Sequence, residues 1–142
     1  MSGGVRDVHV THCHLWDSTA GVHVKTGVGR GGYVHDVLLE QLTMDDCATG
    51  LMYTCDTGGH PADDPTHHLN LSAIPDVRRI TARHIEGKGS RLVAHIEGLT
   101  QGPIRQLAFE HVHFDGGAYE CEAASGTYVD MTPTPCDAIS PA

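Results

Sequence analysis

A repeat of four segments constrains the fold of this chain more than any other feature of its sequence. The segments begin at Val5, Val34, Val77 and Ile104, and apolar residues recur at the same offsets in each one. Apolar and polar residues alternate within each segment with the period of two that is typical of a strand with one buried face. Aligned columns at unequal intervals indicate a solenoid in which some turns carry insertions.

Three apolar columns fix the register that the repeat predicts. They contain Val8, Val37, Ile80 and Leu107; Val10, Leu39, Ala82 and Phe109; and Cys13, Leu42, Ile85 and Val112. A second, shorter strand follows at a fixed distance, where Val22 and Val24 match Leu51 and Tyr53 and then Ala94 and Ile96. Hairpin signals are sparse and helical periodicity is missing, which disfavours a β-sandwich and an α/β fold.

The length of 142 residues fits one domain with its own core. We therefore predict a single partial solenoid domain over residues 1–142, with about four rungs. A polar stretch rich in Pro, Asp and His predicts a surface insertion at about 56–75, and residues 117–142 are expected to form a C-terminal capping tail.

Composition excludes several classes of function. The formal net charge is −9 and the nine Lys and Arg residues form no basic cluster, so nucleic acid is not an expected partner. No apolar run approaches the roughly 18 residues of a membrane span, so no membrane partner is expected. The opening residues Met1 to Asp7 are not followed by the apolar stretch of a signal peptide.

Two features point to an oxidising compartment. The chain has five cysteines, an odd number, and Cys121 and Cys136 flank a tail rich in Gly, Ser, Thr and Pro. A disulfide between them would close a loop of about 15 residues and contribute about 3 kcal/mol in the chain-entropy model. Asn70 begins the sequon Asn-Leu-Ser and is a candidate glycosylation site.

The stretch GVHVKTGVGRGGYV, from Gly21 to Val34, resembles the lysine motif and following turn of plant polygalacturonases. The opening MSGGVRDV is similar to the segment that follows the glycine-histidine-glycine motif of that family, and the insertion and the C-terminal cysteines are also similar to plant members. The resemblance covers essentially the whole chain. It implies a right-handed parallel β-helix, extracellular action at the cell wall, and inverting hydrolysis of α-1,4 bonds in pectin.

The resemblance also implies catalytic aspartates in motifs that precede the lysine motif, and none of these motifs is present in this sequence. The pairs Asp45-Asp46 and Asp63-Asp64 lack the family context and are interpreted as solvated turn residues. We therefore expect a chain that begins after the catalytic rungs and is inactive by itself. The missing N-terminal rungs of the same fold would be its natural partner.

Lys25 and His23 are the candidate substrate-binding residues. They stand two apart on a predicted strand, so both side chains point to its outer face and could meet one carboxylate of galacturonate. Lys25 matches the lysine of the family motif, whereas His23 replaces the usual arginine and loses its bidentate fork. Arg30, in the glycine-rich turn that follows, is a further candidate for substrate contact.

The twelve histidines raise an alternative, a metal-binding solenoid built on His9, His12, His14, His111 and His113. The repeat offers a simpler interpretation, because His12, Gln41, His84 and His111 share one column and would form a polar ladder. No metal or other cofactor is therefore predicted. Three functions stay open: a polygalacturonase-type hydrolase fragment, a non-catalytic β-helix that binds pectin or oligogalacturonate, and the metal-binding solenoid.

Overall fold

The computed structural model describes residues 3–55 and 70–142. Most of the predicted insertion, including Asp63 and Asp64, lies outside the described residues. The described residues form ten strands: β1 Gly4–Trp16, β2 Ala20–Lys25, β3 Tyr33–Asp45, β4 Thr49–Thr54, β5 Asp76–Lys88, β6 Leu92–Glu97, β7 Ile104–Phe114, β8 Ala118–Glu122, β9 Ala124–Thr132 and β10 Ile139–Pro141. Neither described range contains a helix long and apolar enough to cross a membrane.

The strands form two parallel sheets that share one core. The first sheet has the order β1-β3-β5-β7-β9-β10, and the second has the order β2-β4-β6-β8. Each odd-numbered strand from β1 to β7 continues into the next even-numbered strand of the other sheet, which gives four rungs with strands in both sheets. The predicted all-β fold, a parallel β-helix, is confirmed.

The register of the sheets confirms the apolar columns predicted from the sequence. Val8 pairs with Val37, Val37 with Ile80, and Ile80 with Leu107. In the second sheet Val22 pairs with Leu51, which pairs with Ala94. The inward columns of the interior rungs are almost fully buried and form a single hydrophobic core along the axis.

The long strands turn at residues with positive φ, which divide each of them into shorter β-segments. The first turning position contains Asp7, Asp36, Arg79 and Gln106, and the second contains His12, Gln41, His84 and His111. Asp and His adopt the left-handed region more readily than most residues. Inward residues within one β-segment are two positions apart, as Val8 and Val10 are. Across a turning residue such as His12 the interval becomes three, as between Val10 and Cys13.

The second turning position is the polar column that the repeat predicted. The rings of His84 and His111 stack with centroids 5.1 Å apart and an interplanar angle of 7°. His12 lies two rungs earlier in the same column, and its Nδ1 is 2.8 Å from Thr11 Oγ1. These histidines therefore lie along an exposed edge of the solenoid.

The C-terminal residues 117–142, predicted as a capping tail, contain three strands. Strand β8 extends the second sheet, β9 pairs with β7, and β10 pairs with β9. Cys121 and Cys136 are joined in a disulfide with a Cα–Cα distance of 6.3 Å. The Tyr119 hydroxyl donates a hydrogen bond of 3.0 Å to the Pro133 carbonyl and fixes the same segment.

Candidate functional site

Strand β2 presents His23 and Lys25 side by side on the surface. Both side chains are exposed, whereas Val22 and Val24 on the opposite face pack against the core. This is the arrangement that period two predicts, because burial of the two valines fixes which face the polar residues must occupy. The predicted pair is therefore oriented outward from one strand.

Parallel register extends this pair into a face that crosses all four strands of the second sheet. Two outward columns make up this second-sheet face: His23, Met52, His95 and Glu120, and Lys25, Thr54, Glu97 and Glu122. Its β2 end has two basic side chains, and its β8 end has two carboxylates. The face therefore changes from cationic to anionic along the solenoid axis.

His23 lies against its neighbour in the next rung. Its Nε2 is 3.1 Å from the hydroxyl Oγ1 of Thr54, a residue that is only 1% exposed. Partial burial lowers the pKa of His23 below its ordinary value of 6.5, and the nearby charges of Lys25 and His95 lower it further. At neutral pH the imidazole is therefore mainly uncharged, and a nearby anion would favour its protonated form.

His95 joins the carboxylates at the other end of the second-sheet face. Its Nδ1 is 2.8 Å from Glu120 Oε2, and its Nε2 is 3.5 Å from Glu97 Oε2. Arg91 Nη1 lies 4.0 Å from Glu120 Oε1 at the edge of the group. A cavity of about 370 Å³ opens beside these residues, and Glu122 also lines it.

Arg30 lies in the turn between β2 and β3. Gly29 N and Gly31 N each donate a 3.0 Å hydrogen bond to the Ala73 carbonyl, and Arg30 N donates one of 3.2 Å to the Gly27 carbonyl. Gly29 and Gly31 have positive φ, which is the role that the sequence predicted for these glycines. Contact between the Arg30 side chain and a substrate stays a prediction.

The remaining candidates have local partners. Asn70 is exposed, and its Oδ1 accepts hydrogen bonds from Ser72 N at 3.1 Å and Ser72 Oγ at 2.6 Å. Asp45 Oδ2 lies 2.8 Å from His14 Nε2 and 3.5 Å from Lys88 Nζ. These contacts lower the pKa of Asp45, with the hydrogen bond from His14 as the largest cause. Asp45 is thus the ion-paired last residue of β3, which corrects its interpretation as a solvated turn residue, because side chains of the two neighbouring rungs reach its carboxylate.

All the histidines of the metal hypothesis except His12 pair with carboxylates of adjacent rungs. His9 Nε2 lies 3.1 Å from Glu40 Oε2, and His111 Nδ1 lies 2.9 Å from Asp130 Oδ2. His113 contacts Asp130 through Nε2 at 3.2 Å. In residues 3–55 and 70–142, no group of three or more His, Cys, Asp and Glu side chains has an arrangement that could hold a metal ion.

Sequence reasoning missed the anionic half of the second-sheet face. These outward residues, His95, Glu97, Glu120 and Glu122, lie on short strands without a recognisable motif, and β8 has only five residues. The signal was present, since Tyr119 and Cys121 alternate with Glu120 and Glu122 exactly as period two requires. Because Tyr119 and Cys121 continue the inward columns of the second sheet, the residues that alternate with them must point outward.

The fold and this face define a class: the chain is a parallel β-helix whose second sheet has charged outward side chains near both ends of one face. The chain is 30% identical over 145 residues to a protein described as "Probable polygalacturonase" from Vitis vinifera. The aligned region is 98% of this chain but only 29% of that relative, so the chain spans less than a third of the relative's length. This similarity confirms the resemblance to plant polygalacturonases seen in the lysine motif. No family model matches the chain, and no solved structure matches it.

Proposed function

We propose that this chain is a C-terminal part of a polygalacturonase-type β-helix and binds galacturonate units of pectin on its second-sheet face. The observation that carries the proposal is the outward pair His23 and Lys25 on β2, within the motif that resembles plant polygalacturonases. The similarity to the Vitis vinifera protein supports the same function. Action outside the cell at the cell wall belongs to the proposal, as does glycosylation at Asn70.

The two side chains divide the recognition of a carboxylate between them. Lys25 provides an ammonium group, whereas the imidazole of His23 is charged only below its lowered pKa. A bound carboxylate favours the imidazolium and raises the pKa of His23 again. Affinity for oligogalacturonate is therefore expected to increase as the pH falls below 6.5, while the sugar acid stays ionised.

Cleavage requires groups that this sequence does not contain. An inverting glycosidase needs an acid and a base carboxylate far enough apart to admit water, and the aspartate motifs of polygalacturonases are missing from the 142 residues. We expect the chain by itself to release no reducing ends from polygalacturonate above a heat-treated control. Release that disappears on Lys25→Ala would contradict this expectation.

Further rungs that pair with β1 would supply the catalytic groups and cover Val8 and Val10, which are only partly buried. The isolated chain is then expected to associate through this apolar surface, as light scattering would report. A monodisperse monomer over a wide concentration range would count against such rungs.

Calorimetric titration with trigalacturonate at low salt tests the binding site. Lys25→Ala is expected to weaken binding about tenfold or more, equivalent to about 1.4 kcal/mol. Lys88→Ala is the matched control, because it removes an exposed lysine from β5 in the first sheet. Equal affinities for the parent and both variants would remove the site from the second-sheet face.

A further inference from the structure

The second-sheet face is long enough to contact several sugars at once. Strands β2 and β8 are three strand spacings apart, which at about 4.8 Å each is roughly 14 Å. A short oligosaccharide that crosses the strands over the partly exposed Met52 would therefore reach both ends of the face, whereas Thr54 is only 1% exposed and offers it little contact. The two ends of the face differ in charge. One outward column begins with the ammonium of Lys25 on β2 and ends with the carboxylate of Glu122 on β8.

Electrostatics at the β8 end disfavours a second carboxylate. Glu97, Glu120 and Glu122 line the cavity of about 370 Å³, and His95 pairs with the first two. A galacturonate there would bring its carboxylate beside two or three like charges. An uncharged sugar avoids this repulsion, and its hydroxyls can donate hydrogen bonds to carboxylate oxygens. The cavity volume lies within the range of small-molecule sites.

We propose that the second-sheet face selects pectin in which one free galacturonate is neighboured by uncharged, methyl-esterified units, rather than fully de-esterified polygalacturonate. This inference rests on the proposed function and adds the specificity of the same site. Lys25 and His23 bind the free carboxylate at the β2 end, and Glu97, Glu120 and Glu122 reject a second carboxylate at the β8 end.

Three synthetic trimers of galacturonic acid test the inference by calorimetry at low salt, with a chelator present to prevent bridging by divalent cations. One trimer has three free carboxylates, one has a single free carboxylate and two methyl esters, and one is fully esterified. We expect the single-carboxylate trimer to bind about tenfold more tightly than the fully acidic one. The fully esterified trimer should bind most weakly, because it offers nothing to Lys25. The preference should shrink in about 0.5 M salt, because the interacting groups are exposed.

Two double variants test whether the carboxylates at the β8 end cause the preference. Glu120→Gln/Glu122→Gln should strengthen binding of the fully acidic trimer and remove most of the preference. The charge-matched control Glu86→Gln/Glu110→Gln lies on β5 and β7 of the first sheet and should preserve it. An unchanged preference in the Glu120/Glu122 variant, or equal effects of both double variants, would overturn the inference.

The outcomes separate this inference from the proposed function. Equal affinities for the two trimers that have a free carboxylate, both reduced by Lys25→Ala, would overturn the selection and leave galacturonate binding in place. Affinities that do not respond to Lys25→Ala, or no binding of any trimer, would overturn the proposed function and the selection with it.

Discussion

The two ends of the solenoid differ, although the same inward columns run through both. At the C-terminal end, β10 covers β9, Met131 and Ile139 are 8% and 3% exposed, and a disulfide ties Cys121 to Cys136. At the N-terminal end, β1 is the edge of the first sheet, and its inward residues Val8 and Val10 are only partly buried. The columns thus set the register of each rung, but a residue is buried only when a neighbouring rung or cap lies on both sides.

The largest expected effect is loss of the C-terminal disulfide. Cys121→Ser/Cys136→Ser should lower the free energy of unfolding by about 3 kcal/mol, the chain-entropy value for a loop of this size. Cys13→Ser at the N-terminal end is the control, since Cys13 is a free, partly buried thiol, and it should cost less than about 1 kcal/mol. Denaturant unfolding of the oxidised protein measures both, and similar losses would mean that the disulfide adds no stability to the C-terminal end.

A matched pair of valines measures the effect of position alone. Val8 and Val37 pair directly and differ in burial, since Val37 is 7% exposed and Val8 lies in the outermost rung. Val37→Ala should destabilise the protein by about 2 kcal/mol, whereas Val8→Ala should cost less than about 1 kcal/mol. Equal costs by denaturant unfolding, with unchanged m-values, would contradict the difference between the rungs. In a chain with further rungs before β1, the two costs should become equal.

A smaller effect is expected from the ion pairs of the C-terminal end. Asp130 on β9 bonds to His111 and His113 on β7, and His113 also lies 3.3 Å from Glu86. The hydrogen bond with Asp130, followed by that with Glu86, raises the pKa of His113 above 6.5. Its contribution to stability is therefore fully present below pH 6.5 and is lost as the pH rises through the folded-state pKa.

The ion pairs of Asp130 with His111 and His113 also lose their contribution to stability at low pH. Hydrogen bonds from His111, first, and His113 lower the pKa of Asp130 below 3.8, so its contribution is lost only as the pH falls through that lower value. The melting temperature of the parent relative to His113→Gln should be higher at pH 5 than at pH 8. A pH-independent difference for His113→Gln would exclude the bridge.

The inward columns and the turns of the solenoid could be predicted from the sequence, whereas the ion pairs between its rungs could not. The inward columns were predictable, because apolar residues such as Val8, Val37 and Ile80 must share a face if any rung is to bury its core. The turns at His12 and His84 were also signalled, by an interval of three residues in place of two. The ion pairs between histidines and carboxylates were not predictable, since they depend on side-chain rotamers across rungs that the repeat leaves free.

The candidate site was predicted only at its cationic end. Lys25 and His23 were found because a motif singled out their strand, and period two then gave their orientation. Glu120 and Glu122 had no motif, and β8 is short enough that its alternation was not recognised as a strand. The change of charge along the second-sheet face therefore became visible only with the register of all four strands.

The central claim, that a galacturonate carboxylate binds beside His23, is tested most directly by NMR titration of the histidine rings. The pKa of His23 is measured without and with saturating trigalacturonate, and His113 at the C-terminal end serves as the internal reference. The account predicts that trigalacturonate raises the pKa of His23 and leaves that of His113 unchanged, and that Lys25→Ala diminishes the shift. An unchanged His23 pKa at a ligand concentration that saturates calorimetric binding would contradict the account, as would equal shifts of both histidines.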